Sequence, residues 1–550
     1  MALEVQAVAT EALVAHHALQ EVDPLQAEAE AVEVGNKPKL FKKKVNLKNM
    51  KRHLTFITIL VCAVTTAQNI DEVLRYSTEN LQGTARFQSM GGAFGALGGD
   101  PSALNINPAG SAIFNNSQFT FSGTSYNPKN TSRYFDGVRK TSEYHINLNQ
   151  IGGALVFNST ADNSGWNKFA LAFNYDIVQN FDDIFEVNGN SNQGIDNYFL
   201  DFAQGVPFGS IQLQDNELIE NGYLDIGANQ GFADQQAFLG YYGGVIDPEN
   251  TDDDTSIYNQ NANYTTVDQN LLRSTSGYNS KVTLNIASQY QEKLSLGASF
   301  NFHTVLYNRL DEFTETGYDT DSPIQRTTFD NLLHTEGSGF SFNLGAIAKL
   351  NDLIRVGASY QSPTWYRLED DLAQRISSNL ADDNIRFINF DQVNLFEVYK
   401  LKTPSKLTGS LALIFGKDGL LSFDYGYQDM SQAELRPTSD ANFAQVNTNV
   451  ANQLGAVNSL RLGGEYRIKR FSLRGGYRFE GSPYKDGNTV GDLNGLSAGI
   501  GYNFGGSRLD FVISRTERDI AHRLFDTGLT TPFVVNGINT NATLSYTINF

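Results

Sequence analysis

From about residue 117 onward the chain alternates apolar and polar positions in short runs, a period of two that predicts β-strands with one apolar and one polar face. The last ten residues show this most plainly. Ala542, Leu544, Tyr546, Ile548 and Phe550 point one way, and Thr543, Ser545, Thr547 and Asn549 the other. Leu496, Ala498, Ile500, Tyr502 and Phe504 likewise oppose Ser497, Gly499, Gly501 and Asn503, while Phe471, Leu473, Tyr477 and Phe479 oppose Arg474, Arg478 and Glu480. Fourteen such segments are predicted, at about 117–127, 144–157, 168–179, 278–290, 294–309, 338–349, 353–367, 398–415, 420–436, 456–467, 471–481, 494–504, 508–520 and 538–550. An even number suits a closed single-chain barrel.

The connections alternate long and short from the first one on. Short turns fall at 291–293, 350–352, 416–419, 468–470 and 505–507, and long loops at about 180–277, 310–337, 368–397, 437–455, 482–493 and 521–537. Outer-membrane barrels have short periplasmic turns and long extracellular loops. The expected fold is therefore all-β, a 14-stranded antiparallel transmembrane β-barrel over 117–550 with both termini periplasmic. On its lipid face an Arg or Lys would cost about 2–4 kcal/mol at the midplane, and the centres of these apolar rows hold none. A soluble sandwich also has period-two strands, but not fourteen of them in this loop rhythm.

Composition agrees with a barrel: 12% aromatic residues and 49 Gly against 13 Pro. A helical membrane protein needs apolar runs of about 18 or more residues, and the chain contains none. Met50-Lys-Arg-His followed by the apolar stretch Leu54–Ala67, with Thr65 and Ala67 as small residues, reads as a signal peptide over 50–67 cleaved before Gln68. Residues 1–49 then precede a complete signal and are read as a mis-assigned start, the alternative being a genuine cytoplasmic extension. Cys62, the single cysteine, lies within the signal, so no thiolate site or disulfide is expected in the mature chain. With 60 acidic and 41 basic residues the chain is acidic, which argues against a nucleic-acid partner.

Residues 68–116 precede the first strand and are rich in Gly. Fourteen strands enclose a lumen too wide for side chains alone to fill, and a compact segment of this size suits an N-terminal plug. Its motifs are Ala85-Arg86, Met90-Gly91-Gly92-Ala93, Gly98-x-Asp100-x-Ser102 and Asn107-Pro108-Ala109-Gly110. Ahead of a fourteen-stranded barrel, they resemble the hatch of FadL/TodX-type outer-membrane transport proteins. Gly339-x-x-x-Asn343-x-Gly345 and the run Leu353–Tyr366 are similar to that family's mid-barrel hairpin. The resemblance implies a plug whose motif residues are Arg86, Gly91, Gly92, Asp100, Asn107, Pro108 and Gly110, and passive inward transport of long-chain fatty acids or other small hydrophobic compounds. Implied partners are the hydrophobic ligand, outer-membrane lipid and, through the terminal Phe-ended strand, the barrel assembly machinery; a monomer is expected. In the family the third strand is kinked to open a lateral exit. Lys168–Ile177 here has no Gly or Pro to make a kink cheaply.

No enzyme is expected. A lipase would need a Ser activated by a base, and no His stands in such an arrangement; His145, His303, His334 and His522 also lack ligand spacing, so no cofactor or metal is expected. The glycines of 91–99 miss the spacing of a phosphate loop, and Glu249 with Asp252, Asp253 and Asp254 reads as a solvated acidic loop in preference to a cation site. In the third connection the aromatic pieces Asn197–Phe202 and Ala237–Tyr242 admit two readings. Tyr198, Phe199, Phe202, Phe238, Leu239 and Tyr241 either pack on one another as a lid core or form an exposed groove that captures hydrophobic ligand. The rivals to a transporter are a hydrophilic diffusion porin and a structural subunit of an outer-membrane assembly or secretion complex.

Overall fold

The computed structural model describes residues 69–158 and 165–550. The expectations for the N-terminal extension, the signal peptide, Cys62 and the Gln68 terminus lie outside the described residues.

The chain forms one antiparallel sheet that closes on itself through fourteen wall strands. In order they are β1 (Gln118–Tyr126, continued by Pro128–Tyr134), β2 (Gly137–Ser142 and His145–Asn158), β3 (Trp166–Asn180 and Asp183–Ser191), β4 (Val267–Tyr290), β5 (Leu294–Thr316), β6 (Thr327–Lys349) and β7 (Ile354–Gln361 and Trp365–Ser378). There follow β8 (Tyr399–Lys402 and Lys406–Phe415), β9 (Gly419–Asp429), β10 (Ala456–Ile468), β11 (Phe471–Glu480), β12 (Leu493–Asn503), β13 (Ser507–His522) and β14 (Phe533–Asn549). The seam pairs β1 with β14 from Gln118↔Asn549 to Ser125↔Ala542. Its inner face is a hydroxyl ladder, Thr120 on Thr547 (2.9 Å), Ser122 on Ser545 (2.7 Å) and Thr124 on Thr543 (2.8 Å).

Every predicted segment contains a wall strand with its faces as read, although the ninth, expected to run to 436, ends at Asp429 and is followed by a 3-10 turn, Met430–Gln432. Leu496, Ile500, Phe504, Leu544, Ile548 and Phe550 are exposed on the outside, whereas Arg474, Arg478, Glu480 and Asp510 are buried inside. Lengths differ at the end that carries the long connections. Residues 267–277, 310–316, 327–337 and 368–378, expected as loop, continue β4 to β7 upward, and the first connection is a hairpin whose two-residue tip is Phe135-Asp136. The apolar band that marks a strand ends where lipid ends, so these extensions carry no outward apolar row to announce them.

Residues 192–266 fold over the mouth of the barrel opposite the short turns as a lid of three helices, α3 (Asp196–Ala203), α4 (Ile219–Asn229) and α5 (Phe232–Tyr242). At the other end of the chain sequence, α1 (Ile70–Ser77), α2 (Ala85–Ser89) and two 3-10 turns, Pro101–Asn105 and Pro108–Ile113, make up the plug inside the barrel. Asn69 and Thr84 cap the two helices by accepting from the backbone N–H groups of Glu72 and Phe87.

Candidate functional site

The plug is a chain of caps and close approaches. Asp100 accepts from Thr84 Oγ1 (2.8 Å) and from the backbone N–H of Ser102 (3.0 Å), ahead of Pro101 at the first turn position, where a missing N–H costs nothing. Asn107 repeats this device before Pro108, accepting from the N–H of Ala109 at 3.1 Å. Its amide nitrogen then donates to Gly95 O (2.7 Å) within the plug and to Ala346 O (3.0 Å) on β6. One side chain thus fastens two parts of the plug to the wall. Gly110 lies against Gly98, whose φ of +60° and contact with the Gly110 backbone leave no room for a Cβ. Gly91 and Gly92 both have positive φ, and the N–H of Gly92 donates to Phe87 O at 3.0 Å to end α2.

The wall answers with glycines of its own. On the inward face, Gly297, Gly345, Gly357, Gly463, Gly476 and Gly499 each lie where a Cβ would strike the plug, at Pro108, Asn107, Gly95, Met90, Gly91 and Ser89 in turn. These six come from β5, β6, β7, β10, β11 and β12, so the plug is gripped from around much of the lumen. The Asn-Pro-Ala-Gly motif and the mid-barrel Gly345 motif, far apart in sequence, are in contact.

Arg86 is the plug's buried ionic link to the wall. Its Nε lies 3.1 Å from Glu465 Oε2, its Nη1 donates to Gly99 O at 3.2 Å, and its guanidinium stands 5.1 Å from the Phe94 ring centroid. Glu465 also receives Arg474 (2.6 Å) and Arg467, and Arg474 reaches on to Asp510 at 2.7 Å. Asp424 accepts from the N–H of Gly95 at 3.0 Å. The lumen charges of β9, β10, β11 and β13 are therefore spent on a lattice around the plug. Arg355 is half-buried beside it, its Nη1 3.5 Å from Leu97 O.

Of the two readings of the lid, the structure has the packed one. Phe199, Phe238 and Leu239 are wholly buried, Tyr198 and Phe202 nearly so, and Tyr241 packs against them. They share one cluster with Tyr223 of α4 and with Phe313, Phe329, Ile376 and Phe533 at the tops of β5, β6, β7 and β14. Tyr223 Oη donates to Gln374 Oε1 at 3.0 Å, and Gln236 Nε2 reaches the same oxygen at 2.8 Å. The exposed groove is not formed, because the strand extensions below supply the apolar floor on which these side chains bury. At the base of α3, Asp196 accepts from Tyr264 Oη (2.9 Å), and burial pushes its carboxyl up to about 6.

The third strand is irregular despite its lack of Gly and Pro. Its pairing with β4 shifts between Trp166 and Lys168 and again between Ile177 and Gln179. A bulge needs one unpaired residue and no particular side chain. Pairing with β2 stops at Gln150↔Asp176. Above that point His145 Nε2 and Asn180 Nδ2 bridge the two strands at 2.8 Å, beside an inner cavity of about 150 Å³ lined in part by Asn80, Gln82, Tyr126 and Asp182.

Sequence reasoning missed the role of the wall glycines as seats for the plug, and the plug's ion partners. A glycine on the inward face of a patterned strand was the available signal, since no local reason puts it there.

Comparison with known proteins agrees with this architecture. A FadL homologue of Pseudomonas aeruginosa superposes with a TM-score of 0.50 at 12% identity, covering 86% of this chain and 100% of its own. The Ralstonia pickettii toluene transporter TbuX (TM-score 0.44, 14% identity, 86% and 99% covered) and the Pseudomonas putida toluene transporter TodX (0.43, 14%, 86% and 100%) are also similar. No curated protein sequence matches the chain. Residues 254–520, from the lid into β13, match the family model of the outer membrane protein transport proteins (OMPP1/FadL/TodX).

Proposed function

We propose that the protein carries long-chain fatty acids or other small hydrophobic compounds passively across the outer membrane, with the plug closing the lumen until ligand arrives. The observation that carries this reading is double closure. The plug is held by a buried ion lattice and a ring of inward glycines, and the mouth above it by an apolar lid core. A diffusion porin keeps an aqueous lumen open, and a scaffold subunit has no use for a plug fitted so closely. In this reading Tyr198, Phe199, Phe202, Phe238, Leu239 and Tyr241 serve as the apolar core that a hydrophobic ligand enters when the lid opens, and Arg86, Gly91, Gly92, Asp100, Asn107, Pro108 and Gly110 hold the plug.

Uptake of labelled toluene and oleate by cells that produce or lack the protein tests the reading. Faster uptake of either compound with the protein present is expected. Equal rates for both, with the folded barrel present in the outer membrane, overturn it.

A further inference from the structure

The strap Thr78–Gln82 joins α1 to the body of the plug, and Glu79 lies in the middle of it. Its carboxylate projects into a polar cavity of about 40 Å³ whose lining includes Thr78, Gln361, Thr403, Lys406 and Ser459. Room of this size holds a few atoms and no alkyl chain.

Lys406 and Glu480 also line this cavity, and further cations lie around Glu79. Lys281 of β4 is 1% exposed, its Nζ makes no hydrogen bond, and the acid within ion-pair reach is Glu79, whose Oε1 is 3.6 Å away. A buried ammonium without hydrogen bonds is costly. Lys406 of β8 and Arg461 of β10 add two more charges, and the Nε of Arg461 is likewise unbonded. Of the other acids nearby, Glu480 is taken by Arg478 (2.7 Å) and Arg518 (3.4 Å) and Asp424 by the N–H of Gly95; Asp176, opposite Lys281 in the β3–β4 register, accepts from the amides of Asn105 and Asn174 through Oδ2 and leaves Oδ1 unbonded. Burial alone would raise the Glu79 carboxyl, yet Lys281 and Lys406 lead a set of cations that together hold it down to about 2.

We infer that Lys281, Lys406 and Arg461 form an anion site, that Glu79 occupies it in the closed protein as an internal stand-in for ligand, and that the carboxylate of an incoming amphiphile replaces Glu79 and frees the strap. The displacement rests on the transport reading; the anion site does not. Charge complementarity and the carboxylate of Glu79 set the head group as a carboxylate, since a neutral isostere offers nothing to the three cations, and the apolar body follows from the transport reading.

Benzoate and benzyl alcohol titrated into the purified full-length protein in nonionic detergent test the site, with calorimetry as readout. Glu79→Gln is expected to tighten benzoate at least fivefold and Lys406→Met to weaken it at least fivefold, while benzyl alcohol changes less than twofold in either. Heat-modifiable gel migration reports that each variant is folded, and if Glu79→Gln does not fold, Lys406→Met alone decides. Unchanged benzoate affinity, or benzyl alcohol following the same trend, overturns the site. Hydrogen exchange over Thr78–Gln82 is expected to rise with benzoate, and no rise overturns displacement. Failure of toluene and oleate uptake with the benzoate effects intact would sink the transport reading and leave the anion site standing.

Discussion

Gly475 and Gly476 are neighbours on β11 that face opposite ways, and this makes them a matched probe of how tightly the plug is fitted. A Cβ at Gly476 would meet the backbone of Gly91 and Met90, whereas one at Gly475, on the lipid side, would have Ser497 O at 4.0 Å as its nearest neighbour. The two nearest atoms met at Gly476 are backbone, with Ser497 Oγ third, so no side-chain rotation relieves the clash and the plug itself must shift. Overpacking of a fitted interior by one methyl group costs about 1–3 kcal/mol. Alanine costs a strand nothing relative to glycine and favours it by roughly 0.5–1 kcal/mol. Gly476→Ala should therefore leave the barrel intact and shift the plug equilibrium toward opening by about five- to 150-fold, since about 1.4 kcal/mol is a factor of ten. Gly475→Ala should do neither. Single-channel recording in planar bilayers reads the opening, and heat-modifiable migration reads the barrel. Equal open probability in Gly476→Ala, Gly475→Ala and the unaltered protein would refute the claim that the wall glycines are seats for the plug.

The ion lattice predicts an asymmetry. Glu465→Gln strips Arg86 of its wall partner and weakens Arg474, and uncompensated buried charge costs about 3–5 kcal/mol; Arg86→Met leaves Glu465 paired with Arg474 and Arg467. Glu465→Gln should open the plug more often in the same recordings, and the reverse order would contradict the lattice. Replacing Phe199, Phe202 and Phe238 together by Ser removes three buried rings at about 3–5 kcal/mol each, so limited proteolysis should cut within 192–266 while the barrel stays folded; a resistant lid would mean that these side chains do not hold it. The Asp196 carboxyl is raised in the folded lid, so its contribution is present at low pH and is lost as pH rises from about 4 toward and through about 6. Hydrogen exchange over Asn197–Ala203, corrected for intrinsic rates, should accordingly be slower at pH 4.5 than at pH 7.5, and the opposite order would exclude Asp196 as the cause.

The barrel was legible in the chain because a strand between lipid and lumen writes its environment into every second residue: Leu544 and Ile548 face out, Thr543 and Thr547 face in, and no distant contact is needed to know it. The plug was legible for a similar reason, since Asp100-Pro101 and Asn107-Pro108 are local capping devices that operate within two residues. What those caps hold on to was not legible. Arg86 meets Glu465 across 379 residues and Asn107 meets Ala346 across 239, and the length of sequence between them carries no mark of either meeting. The lid illustrates the same limit. Phe199 and Phe238 are large apolar residues in a polar loop, a pattern that suits an open groove and a closed core equally well. The choice fell to strand extensions that rise past the lipid and bring Phe313, Phe329 and Ile376 beneath them. Exposure is a property of what else is near. Period and capping are local and survive in the sequence, whereas burial, ion pairing and the fit of a plug are set only when the barrel closes and brings remote strands around one lumen.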